Sequence, residues 1–456
     1  MSSEKRISIH GQWSSRLMFI MAATGSAVGL GNIWKFPYIT GENGGGAFVL
    51  VYLLCIAAIG IPIMMSEVML GRRGRQSPIN TMATLAAEAG KPKIWSMLGW
   101  FGVIAGFLIL SYYSVIAGWA LSYVFRTASG MFEGVTADGA NSIFTALVSD
   151  PEKLLAWHTL FMIATTFVVA RGVKNGLEKT ISYLMPMLFA LLIILAFYSM
   201  STGYFMQGVS FLFSPDFSKL TAQSVLTAMG HAFFTLSLGM GAIMVYGSYL
   251  PQDTSIAKAS ILIALADTVV ALLAGLVIFP IVFANSLEPG AGPGLIFQTL
   301  PIAFGQMEAG VLIGTLFFVL LVFAAWTSSI SLIEPAVAWL VENHGMNRIY
   351  SSVSVGIVTW FVGLGSMLSF NVWSEHRLFG LNFFDFLDYL TANIMLPLGG
   401  FFIVIFAGWL MKTEASKNEL NTTKSGYNVW LILSRFVAPV AVMVVFLSAI
   451  GLIKLS

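Results

Sequence analysis

Two glycine-rich stretches inside apolar segments decide the fold of this chain. Residues 24–32 read TGSAVGLGN and residues 233–241 read FFTLSLGMG, and each lies within a long apolar run. Glycine destabilises a helix interior by about 1 kcal/mol, and an unpaired backbone group in hydrocarbon costs several kcal/mol more. Such stretches persist where unwound backbone lines a polar site, so both are predicted to interrupt helices.

The composition of the chain places these stretches in a membrane. Of its 456 residues, 57% are apolar and 10% are charged, with a mean hydropathy of +0.85. A soluble domain carries about 25% charged residues, and at ~20 residues per span the apolar residues suffice for roughly a dozen helices. A net charge of +2 and the single Cys55 also disfavour a nucleic-acid binder and a secreted disulfide scaffold. The sequence therefore predicts an all-α polytopic membrane protein.

The apolar runs predict about eleven transmembrane helices. They cover residues 13–38, 44–70, 95–127, 155–170, 180–200, 224–249, 258–286, 308–341, 350–367, 383–411 and 428–453. Sixteen of the 23 Lys and Arg residues fall on one side of these spans and five on the other, so the richer side is predicted to be cytoplasmic. The N-terminus is then cytoplasmic and, with an odd number of spans, the C-terminus is outside.

The two interruptions fall in the first and sixth spans, at matching positions of two five-helix halves. Paired glycine-interrupted segments of this kind indicate the binding site of a secondary transporter. Close helix packing is the alternative, because Gly25 and Gly29 form a small-xxx-small pair. The matched positions, with Asn32, Thr235 and Ser237 at a similar depth, favour the site.

Several motifs, in order along the chain, resemble the neurotransmitter:sodium symporter family. They are SAVGLGNIWKFP at 26–37, ENGGGAF at 42–48, GIP at 60–62 with Glu67 and GR at 71–72, FTLSLG at 234–239 and TSS at 327–329. The resemblance implies a single transmembrane transporter domain over residues 1–456 with the leucine-transporter fold, in which spans 1 and 6 are unwound. Its inverted repeats would cover roughly residues 12–201 and 223–411, followed by an extra helix at roughly 428–453.

The same resemblance implies a sodium-coupled symporter that imports a neutral amino acid by alternating access across the plasma (inner) membrane. Sodium is a hard cation that suits carbonyl, hydroxyl and amide oxygens, and broken helices supply free carbonyls and free N–H groups. We expect two sodium sites and no organic cofactor. The expected partners are the amino acid, sodium and the lipid bilayer, without nucleic acid and without enzymatic activity.

The family pattern also assigns ligand sets to this sequence. The first sodium site would comprise Ala27, Asn32, Thr235 and Asp267, and the second would comprise Gly25, Val28, Ala324, Thr327 and Ser328. The substrate would contact Ser26, Ala27, Leu30, Gly31, Ile109, Tyr113, Phe234, Thr235, Ser237, Met240, Ser328 and Leu332. Monoamine carriers of this family have an aspartate at the position of Gly29. Glycine there favours an amino acid, which brings its own carboxylate.

The resemblance predicts gates on both sides of the site. Lys35 and Asp388 would form the outer gate, with lysine in place of the usual arginine. At the inner gate His10 stands where the family has an arginine, opposite Glu342 and near Tyr249, and Arg6 is an alternative partner.

Three further residues have expected roles beside the site. Glu67, costly at membrane depth, would hold the broken backbone. His231 beside Lys35 is expected to be neutral and structural. Asp267 would supply the negative charge that makes transport chloride-independent, since Ala271, one helical turn later, replaces the glutamate of the leucine transporter.

Competing functions are less compatible with the sequence. The five histidines show no paired metal-ligand spacing such as HExxH, which argues against a membrane enzyme. An ion channel would need a repeated filter motif or a ring of charges, and neither is apparent. Ile109, Met240 and Leu332 suggest an apolar pocket, but the amino acid itself stays open, as does a β-amino acid or taurine-like zwitterion.

Overall fold

The computed structural model describes residues 6–290, 292 and 294–453. Within these ranges the chain forms helices and connecting loops, and one isolated antiparallel β-bridge pairs Leu378 with Leu381. Helices dominate because hydrocarbon offers backbone groups no partner, and a helix satisfies them within the segment. The predicted all-α membrane fold is confirmed.

The described residues contain nine helices long and apolar enough to cross a membrane, or ten with the bent pair Arg16–Ala27 and Gly31–Glu42 counted as one span. A further pair of short helices, Ala222–Thr235 and Ala242–Ser248, lies at the position of the predicted sixth span. Span 1 is a pair of helices that meet at an angle of 52°. In chain order the spans are Arg16–Ala27 with Gly31–Glu42, Gly46–Gly74, Lys93–Ala128, Pro151–Ala170, Val173–Met200, Ala222–Thr235 with Ala242–Ser248, Ile256–Ala284, Gly310–His344, Arg348–Leu368, Phe383–Leu410 and Lys424–Ala449. Their order matches the eleven predicted spans, with ends that differ by a few residues.

Both predicted interruptions are present. In span 1 the first helix ends at Ala27, Val28 is extended (φ −69°, ψ 108°), and helical structure resumes at Gly31. In span 6 the break runs from Leu236 to Gly241, and Gly239 has a left-handed φ of +80°. A Cβ at Gly239 would also lie 2.6 Å from the Leu396 carbonyl oxygen, so only glycine fits there.

Span 3 (Lys93–Ala128) supports the break in span 6 through two glycines one helical turn apart. A Cβ at Gly102 would lie 3.1 Å from the Gly241 nitrogen, and one at Gly106 would lie 3.1 Å from the Met240 carbonyl oxygen. The unwound backbone therefore packs directly on the surface of span 3 without intervening side chains.

Shorter helices lie on the two faces of the bundle. The arginine face, which carries Arg6, Arg72, Arg73 and Arg75, holds the helices Pro78–Glu88 and Thr413–Leu420. The opposite face, here called the vestibule face, carries the helices Ala137–Val148, Phe205–Phe213 and Leu300–Gln306. The central site lies between these faces, at the depth of the two breaks.

Candidate functional site: the cavity between two broken helices

A small cavity of about 30 Å³ lies between the two interrupted segments. It is lined by Ser26, Ala27, Gly29, Gly31, Ile109, Tyr113, Phe234, Thr235, Ser237, Met240, Ser328 and Leu332. Eleven of the twelve residues expected to contact substrate line this cavity. Leu30 does not, because it points into the larger space on the vestibule face, and Gly29 takes a place in the lining instead.

The absence of a side chain at Gly29 is a packing requirement. A Cβ there would lie 2.6 Å from the Ser328 hydroxyl oxygen and 2.8 Å from the Tyr113 hydroxyl oxygen. The Tyr113 oxygen accepts a hydrogen bond from the Leu30 amide at 3.1 Å, which fixes the phenol against the break in span 1. The Ser328 and Tyr113 hydroxyls therefore border the point where a side chain at position 29 would begin.

The residues predicted for the second sodium site lie where the break in span 1 contacts span 8, the helix Gly310–His344. The Ser328 hydroxyl is 3.4 Å from the Gly25 carbonyl oxygen and 3.1 Å from the Val28 carbonyl oxygen. The Thr327 hydroxyl is 3.1 Å from the Ala324 carbonyl oxygen. The break at Val28 makes this possible, since it frees carbonyls that an intact helix would engage.

The residues predicted for the first sodium site form a buried hydrogen-bonded cluster. The Asn32 Nδ2 is 2.7 Å from Asp267 Oδ1 and 2.9 Å from the Thr235 hydroxyl, which is 3.0 Å from Asp267 Oδ2. The Asn32 Oδ1 instead accepts from the Gly29 amide at 3.0 Å. The amide would have to rotate to offer its oxygen to a cation, since Asn nitrogen and oxygen exchange places on flipping. In the described part of the chain no basic side chain forms an ion pair with Asp267.

Two contacts hold the broken segments together. Glu67 is fully buried, and its Oε1 accepts from the Gly239 amide at 2.5 Å. The Ser237 hydroxyl donates to the Ser26 carbonyl at 2.8 Å and so ties the break in span 6 to the break in span 1. Glu67 therefore contacts the break in span 6, and its role in holding the broken backbone stays a prediction.

A wide vestibule of about 430 Å³ leads to the cavity from the vestibule face. Tyr113 and Phe234 line both spaces and lie between them. Lys35 and Asp388 both line the vestibule, but no ion pair joins them. The Lys35 ammonium lies instead 4.9 Å from the centre of the Phe234 ring. Lys35 and Asp388 thus face the same space without an ion pair between them, and their role as an outer gate stays a prediction.

The arginine face is closed by polar contacts around the predicted inner gate. His10 Nε2 is 3.1 Å from Glu342 Oε1, and Glu342 also accepts from the Ser77 amide and from Asn80. Arg6 does not substitute for His10. Its guanidinium pairs with Glu88 at 3.1 Å, on a different helix.

The sequence analysis missed a buried ion pair behind this gate. The Glu334 side chain is fully buried, and it accepts from Arg348 Nη2 at 2.5 Å and from the Tyr249 hydroxyl at 2.7 Å. Tyr249 was expected near His10 and Glu342. Its ring lies 5.8 Å from the His10 ring, and its hydroxyl donates to Glu334. The cost of a carboxylate at membrane depth, which drew attention to Glu67 and Asp267, was a signal that also applied to Glu334.

His231 lies in an aromatic environment. Its ring stacks 5.9 Å from Phe36 and lies 5.5 Å from Tyr52, with only 3% of the residue exposed. His231 is therefore packed among aromatic rings, and its structural role stays a prediction.

Comparisons with known proteins agree with the geometry. The sequence model described as the sodium:neurotransmitter symporter family matches residues 10–133 and 148–455. The uncharacterized sodium-dependent transporter YhdH of Bacillus subtilis is 40% identical over the full length of both chains. An uncharacterized sodium-dependent transporter of Haemophilus influenzae is 36% identical over 96% of this chain and 97% of its own. The crystal structure of MhsT in complex with L-phenylalanine superposes with a TM-score of 0.89 at 46% identity, covering 96% of this chain and 99% of that one.

Proposed function

Because this chain belongs to the sodium:neurotransmitter symporter family, we propose that it moves a neutral amino acid together with sodium by alternating access. Family membership makes it a sodium-dependent, multi-pass membrane transporter and not an enzyme. The observation that carries the finer proposal is the cavity itself: two oxygen-rich clusters border one small pocket between two broken helices.

We propose that sodium binds at both clusters. The first would use Asp267, Asn32, Thr235 and the Ala27 carbonyl, and the second would use the oxygens around Ser328. Both sets consist of carbonyl, hydroxyl, amide and carboxylate oxygens, the ligands that a hard cation prefers. The unpaired charge of Asp267 supports a cation at the first cluster, because a buried carboxylate without a counter-charge is costly.

The amino acid would lie with its carboxylate towards the break in span 1. Leu30 and Gly31 stand at the N-terminal end of the second half of that span, where the helix dipole favours an anion. The Tyr113 oxygen already accepts from Leu30, so the phenol hydrogen is left to donate to the carboxylate. Ile109, Met240 and Leu332 would then surround the substrate side chain.

This arrangement favours an apolar side chain of adaptable size. Methionine has three rotatable bonds and can repack around different shapes, and Met240 lies between two glycines of the unwound segment. The neighbour MhsT was crystallised with L-phenylalanine, which supports a neutral amino acid as the ligand class of this chain.

We further propose that the arginine face is cytoplasmic and that the protein resides in the plasma membrane, with the C-terminal end outside. The excess of Lys and Arg on that face supports this orientation. In the transport cycle Phe234 and Tyr113 would close over the substrate and Lys35 would pair with Asp388. The contacts of His10 with Glu342 would then release. The two inverted repeats, residues 12–201 and 223–411, would move against each other around the site.

Asp267 is proposed to make transport independent of chloride. It supplies a negative charge beside the first sodium cluster, where it contacts neutral donors only. Uptake should therefore continue when gluconate replaces chloride at constant sodium. Uptake abolished by that exchange would refute the role of Asp267 without affecting the assignment as a sodium symporter.

The central test is a ligand screen on the purified protein. Thermal stability is measured with each of the twenty amino acids, β-alanine and taurine, in sodium and in potassium buffers. We expect stabilisation by neutral apolar amino acids in sodium alone, followed by their saturable accumulation in proteoliposomes under an inward sodium gradient. Equal stabilisation in potassium, or a best ligand from the β-amino acids, would contradict the proposal.

A further inference from the structure

Three serine hydroxyls around the cavity donate hydrogen bonds to backbone carbonyl groups of the protein. Ser237 donates to the Ser26 carbonyl at 2.8 Å, and Ser328 donates to the Val28 carbonyl at 3.1 Å. Ser331, one residue before the cavity-lining Leu332, donates to the Ser328 carbonyl at 2.7 Å. A carbonyl can only accept, so the direction of each of these bonds is fixed by chemistry.

The direction of one more hydrogen bond follows from these. The Ser26 and Ser331 hydroxyl oxygens are 2.7 Å apart. A hydroxyl has a single hydrogen, and that of Ser331 is already committed to the Ser328 carbonyl. Ser26 must therefore be the donor, and its oxygen is left with lone pairs only towards the cavity that it lines.

The other polar groups of the lining are committed in the same way. The Thr235 hydroxyl donates to Asp267. The phenol of Tyr113 lies at the break in span 1, on the side proposed for the carboxylate. Ser26 of span 1 and Leu332 of span 8 form one wall of the cavity. This wall thus combines an apolar surface with hydrogen-bond acceptors, and among the described side chains it offers no hydrogen-bond donor.

We propose that Ser331 is a specificity-determining residue of this transporter. Because Ser331 accepts the hydrogen bond that Ser26 donates, this wall can accept hydrogen bonds from a ligand but cannot donate them. The site would therefore admit neutral amino acids with apolar or hydrogen-bond-donating side chains and reject side chains that can only accept hydrogen bonds. A hydrogen-bond acceptor of the ligand placed against this wall would lose its hydrogen bonds to water and form none with the protein, and leaving a buried polar group without a hydrogen bond costs free energy. The proposal deepens the proposed function, because it requires that an amino acid binds in this cavity.

Matched pairs of ligands separate this effect from size and general polarity. We would titrate the purified full-length protein in sodium buffer with 4-aminophenylalanine against 4-nitrophenylalanine, and with 5-hydroxynorvaline against methionine sulfoxide. In each pair the first side chain can donate and the second only accepts. We expect the donor ligand to bind roughly ten-fold more tightly than the acceptor ligand in at least one pair. This is the typical difference in affinity between a ligand that forms one buried hydrogen bond and a ligand that leaves it unformed.

The variant Ser331→Ala is the decisive measurement. It frees the Ser26 hydrogen to rotate into the cavity, so the acceptor ligand should gain affinity and the ratio within the pair should fall by about five-fold. Ser331→Thr retains the hydroxyl and should keep the wild-type ratio. Ser329→Ala is the matched control, because the buried Ser329 hydroxyl donates to the Ala325 carbonyl four residues earlier and does not line the cavity.

The outcomes distinguish the two proposals. A ratio unchanged in Ser331→Ala, or no donor preference in the wild type, would overturn the role of Ser331. If Ser331→Ala does not fold, Ser26→Ala removes the accepting oxygen and should abolish the donor preference, whereas a retained preference would overturn the proposal. Failure of any amino acid to bind the wild type in sodium would instead refute the proposed function.

Discussion

The vestibule face and the arginine face lie on opposite sides of the central cavity and differ in whether their charged side chains are paired. On the vestibule face Lys35 and Asp388 line a space of about 430 Å³ and stay apart. On the arginine face the corresponding groups are paired and mostly buried, with Glu334 fully buried against Arg348. The molecule is therefore open towards the cavity on one face and sealed on the other.

The difference shows where the energy of closure lies. An ion pair in a water-filled vestibule contributes about 0–1 kcal/mol, because water competes for both partners. A buried pair behaves otherwise, since removing one partner leaves an uncompensated charge and costs about 3–5 kcal/mol. The vestibule face can thus close and reopen with a small change in free energy. When the arginine face opens, by contrast, Glu334 and Arg348 must gain contacts with water or with new partners.

Breaking the seal should give the largest effect. Glu334→Ala leaves the Arg348 guanidinium and the Tyr249 hydroxyl without their shared partner, and we expect the free energy of unfolding to fall by about 3–5 kcal/mol. Glu308→Ala, which removes an exposed carboxylate on the vestibule face, should change it by less than about 0.5 kcal/mol. Denaturant unfolding in detergent measures both, and equal losses would show that the two faces do not differ in this way.

A smaller effect is expected at the cavity where the two approaches meet. The added methyl group in Gly29→Ala would press on the Ser328 and Tyr113 hydroxyls, an overpacking that costs about 1–3 kcal/mol. Amino-acid affinity in sodium should fall at least about ten-fold. The control Gly230→Ala has its nearest neighbour, Val445, at 3.9 Å and should bind normally, so a matching loss in both variants would contradict the packing argument.

Changes in the vestibule should affect transport more than stability. Lys35→Gln removes the charge over the Phe234 ring and the partner proposed for Asp388. We expect several-fold slower uptake with a change in unfolding free energy below about 1 kcal/mol. Lys35→Arg restores the charge and should recover the rate; a slow Lys35→Arg variant would mean that shape, and not charge, matters at this gate.

The smallest expected effect concerns pH at the arginine face. Burial by itself would raise the pKa of Glu88, but hydrogen bonds from Arg73 and Arg6 hold that pKa below its ordinary value. A lowered pKa stabilises the fold above the ordinary range of a glutamate, near pH 4.3, and this contribution is lost as the pH falls through the lower folded value. Glu88→Gln should therefore flatten the acid side of a stability profile by less than about 1 kcal/mol. An unchanged profile would show that Glu88 contributes nothing to the seal.

Much of the fold could be read from local sequence. Apolar runs of helical length gave the order and approximate ends of the spans, because each span must satisfy its own backbone within hydrocarbon. The glycines of 24–32 and 233–241 located both breaks, because glycine weakens a helix interior, and at Gly239 and Gly241 it also adopts a left-handed conformation without steric cost. Eleven cavity-lining residues followed from the family resemblance, which carries three-dimensional information that spacing does not.

Other features depend on contacts between distant parts of the chain. The donation from Ser26 to Ser331 joins residues 305 positions apart, and no local pattern marks the second serine. The partner of Arg6 is Glu88 and not Glu342, a choice set by which loop helix packs against the N-terminal segment. Leu30 left the cavity lining because the bend in span 1 turns it towards the vestibule.

By itself the sequence determined that this protein spans a membrane and where its helices break, because hydrophobic burial and backbone hydrogen bonding act within each segment. Only the tertiary structure decided which charges pair, which hydroxyls donate and which face of the cavity is open. Those outcomes depend on distances of a few ångströms between side chains from different helices, and packing sets these distances only after the helices have assembled.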